Sequence, residues 1–309
     1  MRFHSKLTSS PNVRSWGDCL KILGIILPLF CVVLGSTPAC AQLADNDIIK
    51  LPPATVKQLK GIIAQAPFQC AFSVGIKHKD SYTAYNFGYR GTMKSASLIK
   101  VPFVLELYRF FQEGWLDPET GVLISSSDVV PDGGVLPLFG VGREFSLREL
   151  ARLTIIPSDC TAANAILRHV GKDNVNALCQ KMDWKDTVCE GAFYEKRYNN
   201  RTNRMTARDG VEMLRALDSG DVLEEPWRTE VLEMMNRQWY MEKFLGELPA
   251  DTWYAGKVGE VDGVRNDLEF ITKGDIHLYL CGLTANVAQS SQGDRTLSRL
   301  ARIVYDALP

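Results

Sequence analysis

What most narrows the fold is where the strand-like segments fall: at the two ends of the chain, with helical periodicity between them. Residues 53–66 read as a helix, with Val56, Leu59, Ile62 and Ile63 on one stripe. Residues 71–76 and 82–87 read as strands joined by the polar turn His78-Lys79-Asp80. Residues 253–258, 268–272 and 276–283 are strand-like again, with Asn266-Asp267 and Lys273-Gly274-Asp275 read as turns. Asp294 reads as the cap of a last helix that carries Leu297, Leu300, Ala301, Val304 and Leu308 on one face. In the middle, Ser146-Leu147-Arg148-Glu149 is a capping box for a helix to about Ile155, which Pro157 ends. A helix follows Asp159 and stops at Gly171, a shorter one covers 175–182, Thr206-Ala207-Arg208-Asp209 opens another, and 226–238 is one more. The strands of both ends can share one antiparallel sheet only if the middle is an insertion. The expected class is therefore α+β: a sheet flanked by helices at about 42–96 and 252–309, with an all-helical subdomain at about 97–251.

The first forty residues differ from the rest. Arg2, Lys6, Arg14 and Lys21 precede an apolar run, 22–35, and Ala39-Cys40-Ala41 then offers an A-x-A site. This predicts a secretory signal peptide over residues 1–41, cleaved after Ala41, and an exported protein, secreted or periplasmic. The run is short for a membrane span and Pro28 interrupts it, so an uncleaved anchor is the rival reading. Acylation of Cys40 is disfavoured because Thr37-Pro38-Ala39 lacks an aliphatic residue three before the cysteine. Formal net charge is -1 for the whole chain and 31 − 35 = -4 without the leader. No basic block stands out, so nucleic-acid binding has no electrostatic footprint. Five cysteines follow the leader: Cys70, Cys160, Cys179, Cys189 and Cys281. None has zinc spacing. A Cys179–Cys189 bridge stays open, and Cys281 reads as a buried strand residue.

The candidate chemistry begins at Ser97-Leu98-Ile99-Lys100, at the start of the apolar run 103–111. Three apart near a helix start, Ser97 and Lys100 lie on one face. A lysine can activate a serine only if burial or neighbours lower its pKa. Alone, S-x-x-K is expected about once by chance in a chain of this length. Three further patterns follow in order. They are Ser158-Asp159-Cys160 before Thr161-Ala162-Ala163-Asn164, then Glu195-Lys196-Arg197-Tyr198-Asn199, then Gly256-Lys257-Val258-Gly259.

Together these resemble the class A serine β-lactamases and their penicillin-recognising relatives, over about residues 50–308. The resemblance implies a β-lactamase-like domain over 42–309, with the site at the junction of its two parts and no metal or organic cofactor. It implies that Ser97 attacks a β-lactam or peptide-like carbonyl, Lys100 takes or relays the proton, and Ser158 passes it to the leaving nitrogen. Lys257 would hold charge near Ser158, and Arg265 could bind a substrate carboxylate. The backbone N–H groups of Ser97 and Glu260 would form the oxyanion hole, and Gly259 is implied among the substrate-binding residues. Glu195 would activate the deacylating water and Asn199 orient it. Two departures bear on substrate. Cys160 stands where the family has the asparagine that clasps the substrate amide, and a thiol is a weak hydrogen-bonding partner. Val258 stands where a hydroxyl binds the carboxylate. The site chemistry fits a β-lactamase, or a D,D-peptidase or slow penicillin-binding relative acting on cell-wall peptides, or a non-catalytic descendant that binds cell-wall fragments. In each case a monomer with a small-molecule partner is expected, touching a membrane only if the leader is kept. Plainer roles compete at several positions: an N-cap for Ser158-Asp159, a loop acid for Glu195, a tolerated small residue or a second nucleophile for Cys160, an ion pair for Arg265, and turn residues for Asp262 and Asp267. His78, His169 and His277 suggest no Ser-His-Asp set.

Overall fold

In the computed structural model, residues 48–194 and 202–309 are described. The expected leader, and Glu195 and Asn199, lie outside them.

Five strands form the main sheet: β1 (Gln69–His78), β2 (Ser81–Gly88), β7 (Tyr254–Val261), β8 (Val264–Lys273) and β9 (Ile276–Ala285). Their order is β2-β1-β9-β8-β7, antiparallel throughout, so the amino-terminal hairpin adds directly to the carboxy-terminal meander. The β1–β9 ladder, from Gln69↔Ala285 to His78↔Ile276, joins the two ends of the chain. One face is covered by α1 (Pro53–Gln65) and α8 (Ser290–Ala307), which bury Leu59, Leu297, Leu300 and Val304 against Phe72, Val74, Leu278 and Leu280. The other face packs its alternate residues, Ala255, Leu268, Phe270, Tyr279 and Cys281, against the helical body. Period-two alternation lets a single sheet serve both cores.

The helical body contains α2 (Lys100–Gln112), α3 (Leu147–Ile155), α4 (Cys160–Val170), α5 (Lys172–Lys181), α6 (Ala207–Ser219) and α7 (Trp227–Asn236). α2 is buried nearly all round, from Val101 to Phe111, as its largely apolar run requires, with Glu106 and Arg109 pairing within it. The capping box at Ser146 is present in both directions, Glu149 N–H to Ser146 Oγ at 3.1 Å and Ser146 N–H to Glu149 Oε2 at 2.8 Å. The insertion also holds some strand. β4 (Gly121–Leu123) pairs with β5 (Glu144–Ser146), and β6 (Arg204–Met205) pairs with β3 (Met93–Lys94) just before Ser97.

Two expectations about the last third are corrected. Asn266 and Asp267 lie inside β8, fully buried, and the hairpin turn is Asp262-Gly263, with Gly263 at φ 74°. Their polar side chains are spent on neighbouring backbone, so polarity here does not mean exposure. Asp294 does not cap α8, which starts at Ser290; it lies inside the helix and faces Arg265.

Candidate active site

Ser97 stands at a tethered turn. Ser95 N–H donates to Asn203 O at 3.0 Å, and Asn266 Nδ2 donates to Lys94 O at 2.8 Å and Ser95 O at 3.3 Å. Ala96 follows at φ 47°, a conformation costly for a residue with a Cβ and kept only where the surroundings impose it. A 3-10 turn, Ala96–Ile99, then leads into α2. Because such a turn has three residues, the side chains of Ser97 and Lys100 eclipse, and Lys100 Nζ lies 3.1 Å from Ser97 Oγ.

The α3–α4 connection supplies the second wall. Asp159 caps α4 by accepting from Ala162 N–H at 2.7 Å. Its other oxygen accepts from Val135 N–H at 2.6 Å and Leu136 N–H at 2.7 Å, so one carboxylate fixes both the helix and the facing loop. Ser158 takes φ 59°. That bend brings its carbonyl to 2.6 Å and its Oγ to 3.2 Å from Lys100 Nζ. Cys160 Sγ is also 3.2 Å from Nζ, and the Phe193 ring lies 4.6 Å from it. Ser97, Ser158 and Cys160 are each partly exposed, whereas Lys100 is fully buried. Burial pulls the Lys100 amine below its ordinary pKa, against an upward pull from Cys160 and Asp159.

β7 forms the third wall. Lys257 is fully buried and donates to Val258 O at 2.8 Å. Burial drives its pKa well below the ordinary lysine value, and Lys100 and Lys243 lower it further. Neither Lys100 nor Lys257 forms an ion pair among the described residues. A Cβ at Gly259 would sit 2.8 Å from Ser95 O and 3.1 Å from Ser97 N. Glycine is therefore what lets the strand backbone meet the Ser97 turn, where the two N–H groups of an oxyanion hole must converge.

Arg265 is engaged in ion pairs. Its Nε and Nη2 bind Asp294 at 2.8 and 2.9 Å, and Nη1 binds Glu260. The ion-pair reading of Arg265 is the one the geometry favours. Glu260 also pairs with buried Lys243, and its carboxyl is kept below the usual range by Lys243 and Arg265 in spite of burial. Asp267 accepts from Phe244 N–H at 2.8 Å, and Gln238 donates to Glu269. Both carboxyls are buried. Burial raises Asp267 to about 6 and Glu269 well above its ordinary value, the latter helped by the neighbouring Asp267.

The flanks of the 190–205 loop are braced by Asn164, quoted in the sequence only as part of a motif, and by Asn203, which patterning did not single out. Asn164 accepts from Phe193 N–H at 2.8 Å and donates to Phe193 O at 3.2 Å. Asn203 accepts from Glu190 N–H at 2.8 Å and donates to Gly191 O at 3.1 Å, and Arg204 pairs with Glu190. These flanks and the β7 end line a cleft of about 500 Å³ that includes Ala96, Phe193, Tyr194, Glu260 and Asp262. Asn266 was also missed as a positioning group, because Asn-Asp reads as a turn. Its Oδ1 accepts from Thr284 N–H at 2.9 Å while its amide holds Lys94 and Ser95. The five cysteines are free thiols, including Cys179 and Cys189. Among the described residues, no group of three or more His, Cys, Asp or Glu could hold a metal.

Ser97, Lys100, Ser158 and Cys160 thus meet around one amine, with Gly259 against the Ser97 turn. A family model described as the beta-lactamase enzyme family matches residues 54–308. Comparison with curated proteins finds no match. Among solved structures, a β-lactamase from Sphaerobacter thermophilus DSM 20745 is 23% identical at TM-score 0.73, over 82% of this chain and 96% of that one. PBP-A is 20% identical at TM-score 0.75, over 84% and 98%. A PBP-A variant is described as an acyl-enzyme complex with penicillin G, at 20% identity and TM-score 0.75, over 83% and 98%. At such identities these likenesses speak for the fold.

Proposed function

Since the chain belongs to the beta-lactamase enzyme family, we propose that it is a serine hydrolase of the class A type, which acylates Ser97 with a β-lactam and then hydrolyses the ester. The observation that carries this reading is one buried amine, Lys100 Nζ, 3.1 Å from Ser97 Oγ and 3.2 Å from Ser158 Oγ. An amine whose pKa burial has lowered can take the Ser97 proton. The Ser97 oxygen bonds to the carbonyl carbon, and the charge on the carbonyl oxygen falls to the N–H groups of Ser97 and Glu260. The lactam C–N bond breaks, and the proton passes through Ser158 Oγ to the leaving nitrogen. Lys257, another buried amine, is itself depressed by Lys100 and biases that relay. Deacylation is assigned to water activated by Glu195 and oriented by Asn199.

A second reading is a D,D-peptidase or slow penicillin-binding enzyme that is acylated but turns over poorly. It is supported by the engagement of Arg265 with Glu260 and Asp294, which withholds that cation from a substrate carboxylate. The likeness to PBP-A supports it too. The reading also includes export by the leader and action as a monomer on a small molecule.

The test is turnover of a chromogenic cephalosporin alongside intact mass after penicillin. Turnover that vanishes in Ser97→Ala supports the hydrolase. A lasting adduct with little turnover supports the penicillin-binding reading. Neither event, across several β-lactams and cell-wall peptides, leaves the non-catalytic descendant. Glu195→Ala is expected to trap the acyl-enzyme, and unchanged turnover would refute its assignment. Mass of the protein recovered from the periplasm and from the medium reads cleavage after Ala41.

A further inference from the structure

The unusual partner at the centre of the site is the thiol. Cys160 Sγ approaches Lys100 Nζ at 3.2 Å, as near as either serine hydroxyl. It is the first residue of α4. Lys100 is fully buried and has no carboxylate partner among the described residues. An isolated buried ammonium is costly, and a net-neutral pair much less so. An amide at position 160 could only hydrogen-bond, whereas a thiol can give up its proton.

We propose that Cys160 is a positioning residue for Lys100 that shares a proton with it, so that the pair, rather than the amine alone, is the base for Ser97. The proposal rests on the reading of Ser97 as an activated nucleophile. The pair has two arrangements of the same atoms, amine with thiol and ammonium with thiolate, both of zero net charge. In the first, the Nζ lone pair takes the Ser97 hydroxyl proton while the serine oxygen bonds to the acyl carbon. The pair then holds one proton more, as ammonium and thiol. That proton leaves through Ser158 Oγ to the departing atom, and the pair returns to zero charge. The other titratable or charged groups facing Nζ among the described residues are Asp159 on α4 and Lys257 on β7; Ser97, Ser158 and the Phe193 ring complete its surroundings.

The pairing predicts behaviour that a packing role would not produce. The other described cysteines are buried, so among them Cys160 is the one an alkylating agent can reach. The full chain is treated with iodoacetamide across pH, and peptide mass assigns the adduct to Cys160. Because the thiolate is the reacting form, alkylation at neutral pH is expected to be at least about tenfold faster in the wild type than in Lys100→Met. In parallel, a fluorophosphonate probe labels Ser97 in the wild type, Cys160→Ala and Cys160→Ser. Cys160→Ala is expected to slow labelling by about 10- to 100-fold and to remove one ionisation from its pH profile. Cys160→Ser should recover part of the rate but not the ionisation. Alkylation that ignores Lys100→Met, or a labelling profile unchanged in Cys160→Ala, overturns the proposal. Penicillin is run beside the probe. Labelling by fluorophosphonate but not penicillin sinks the β-lactam reading and leaves this proposal to be judged on the profiles. A Ser97 inert to both overturns the Lys100 base and this proposal with it.

Discussion

The two faces of the β7–β8 hairpin bury charge in opposite ways. On the helical face, Lys257 and the nearby Lys100 are buried amines with no carboxylate partner among the described residues. On the α8 face, Asp267 and Glu269 are buried carboxyls, beside a pairing of Lys243 and Arg265 with Glu260 and of Arg265 with Asp294. The register separates them: Lys257 opposes Leu268, whereas Asp267 and Glu269 oppose Val258 and Gly256 on the other side of the strand. Burial pushes both sets toward neutrality, amines down and carboxyls up. The consequence differs. A neutral amine beside a partly exposed hydroxyl has a lone pair to use, whereas the buried carboxyls are engaged by Phe244 N–H and Gln238. In the proposed reading the amine-bearing face reacts and the carboxyl-bearing face holds the strand.

The most direct way to break this contrast is to remove the reactive amine. Lys100→Met is expected to lower Ser97 acylation by about a thousandfold or more. It should also stabilise the protein at neutral pH by about 1–3 kcal/mol, because an amine that prefers to be charged no longer has to be buried. A melting temperature that falls while activity persists would contradict both parts. Gly259→Ala presses a Cβ against Ser95 O and Ser97 N, and acylation should fall by about 10- to 100-fold with little change in far-UV circular dichroism. Asn266→Ala unties the strand from the Ser97 turn. It should cost about 2–3 kcal/mol in denaturant unfolding, since it strands Thr284 N–H and Lys94 O, and acylation should drop by about tenfold.

The smallest effect belongs to the acidic face. Carboxyls raised by burial bind protons more tightly in the folded than in the unfolded state. Their stabilisation is complete below the unfolded pKa, near 4, and is lost as pH rises through about 6 for Asp267 and higher for Glu269. Glu269→Gln should flatten the fall of melting temperature between pH 5 and 8, assayed by about a few degrees, and leave acylation within about twofold. An unchanged slope would mean that Glu269 is ionised in the folded protein.

Much of the site was legible because its chemistry is local. Ser97 and Lys100 are one turn apart, and Ser146 and Glu149 form their capping box within four residues. Glu195 and Asn199 were legible as a spacing, and they lie outside the described residues. What patterning misread is polar residues whose partners are distant. Asn266-Asp267 looks like a turn, yet Asn266 satisfies Lys94, 172 residues away. Asp294 looks like a cap, yet its carboxylate belongs to Arg265. Asn164 was legible only as part of a motif and Asn203 carried no signal, because their partners, Phe193 for one and Glu190 and Gly191 for the other, are set by packing.

By itself the sequence determined the α+β class, the strands at both ends, most helix starts and the Ser97–Lys100 pair as a candidate site, because periodicity, caps and turn-spaced pairs act over a few residues. Only the tertiary structure decided which amines are pulled below their ordinary pKa, that Arg265 is ion-paired, and that the Cys160 thiol touches Lys100. Burial and contact are properties of the packed chain, and at Lys100 they turn a surface-type residue into a candidate base.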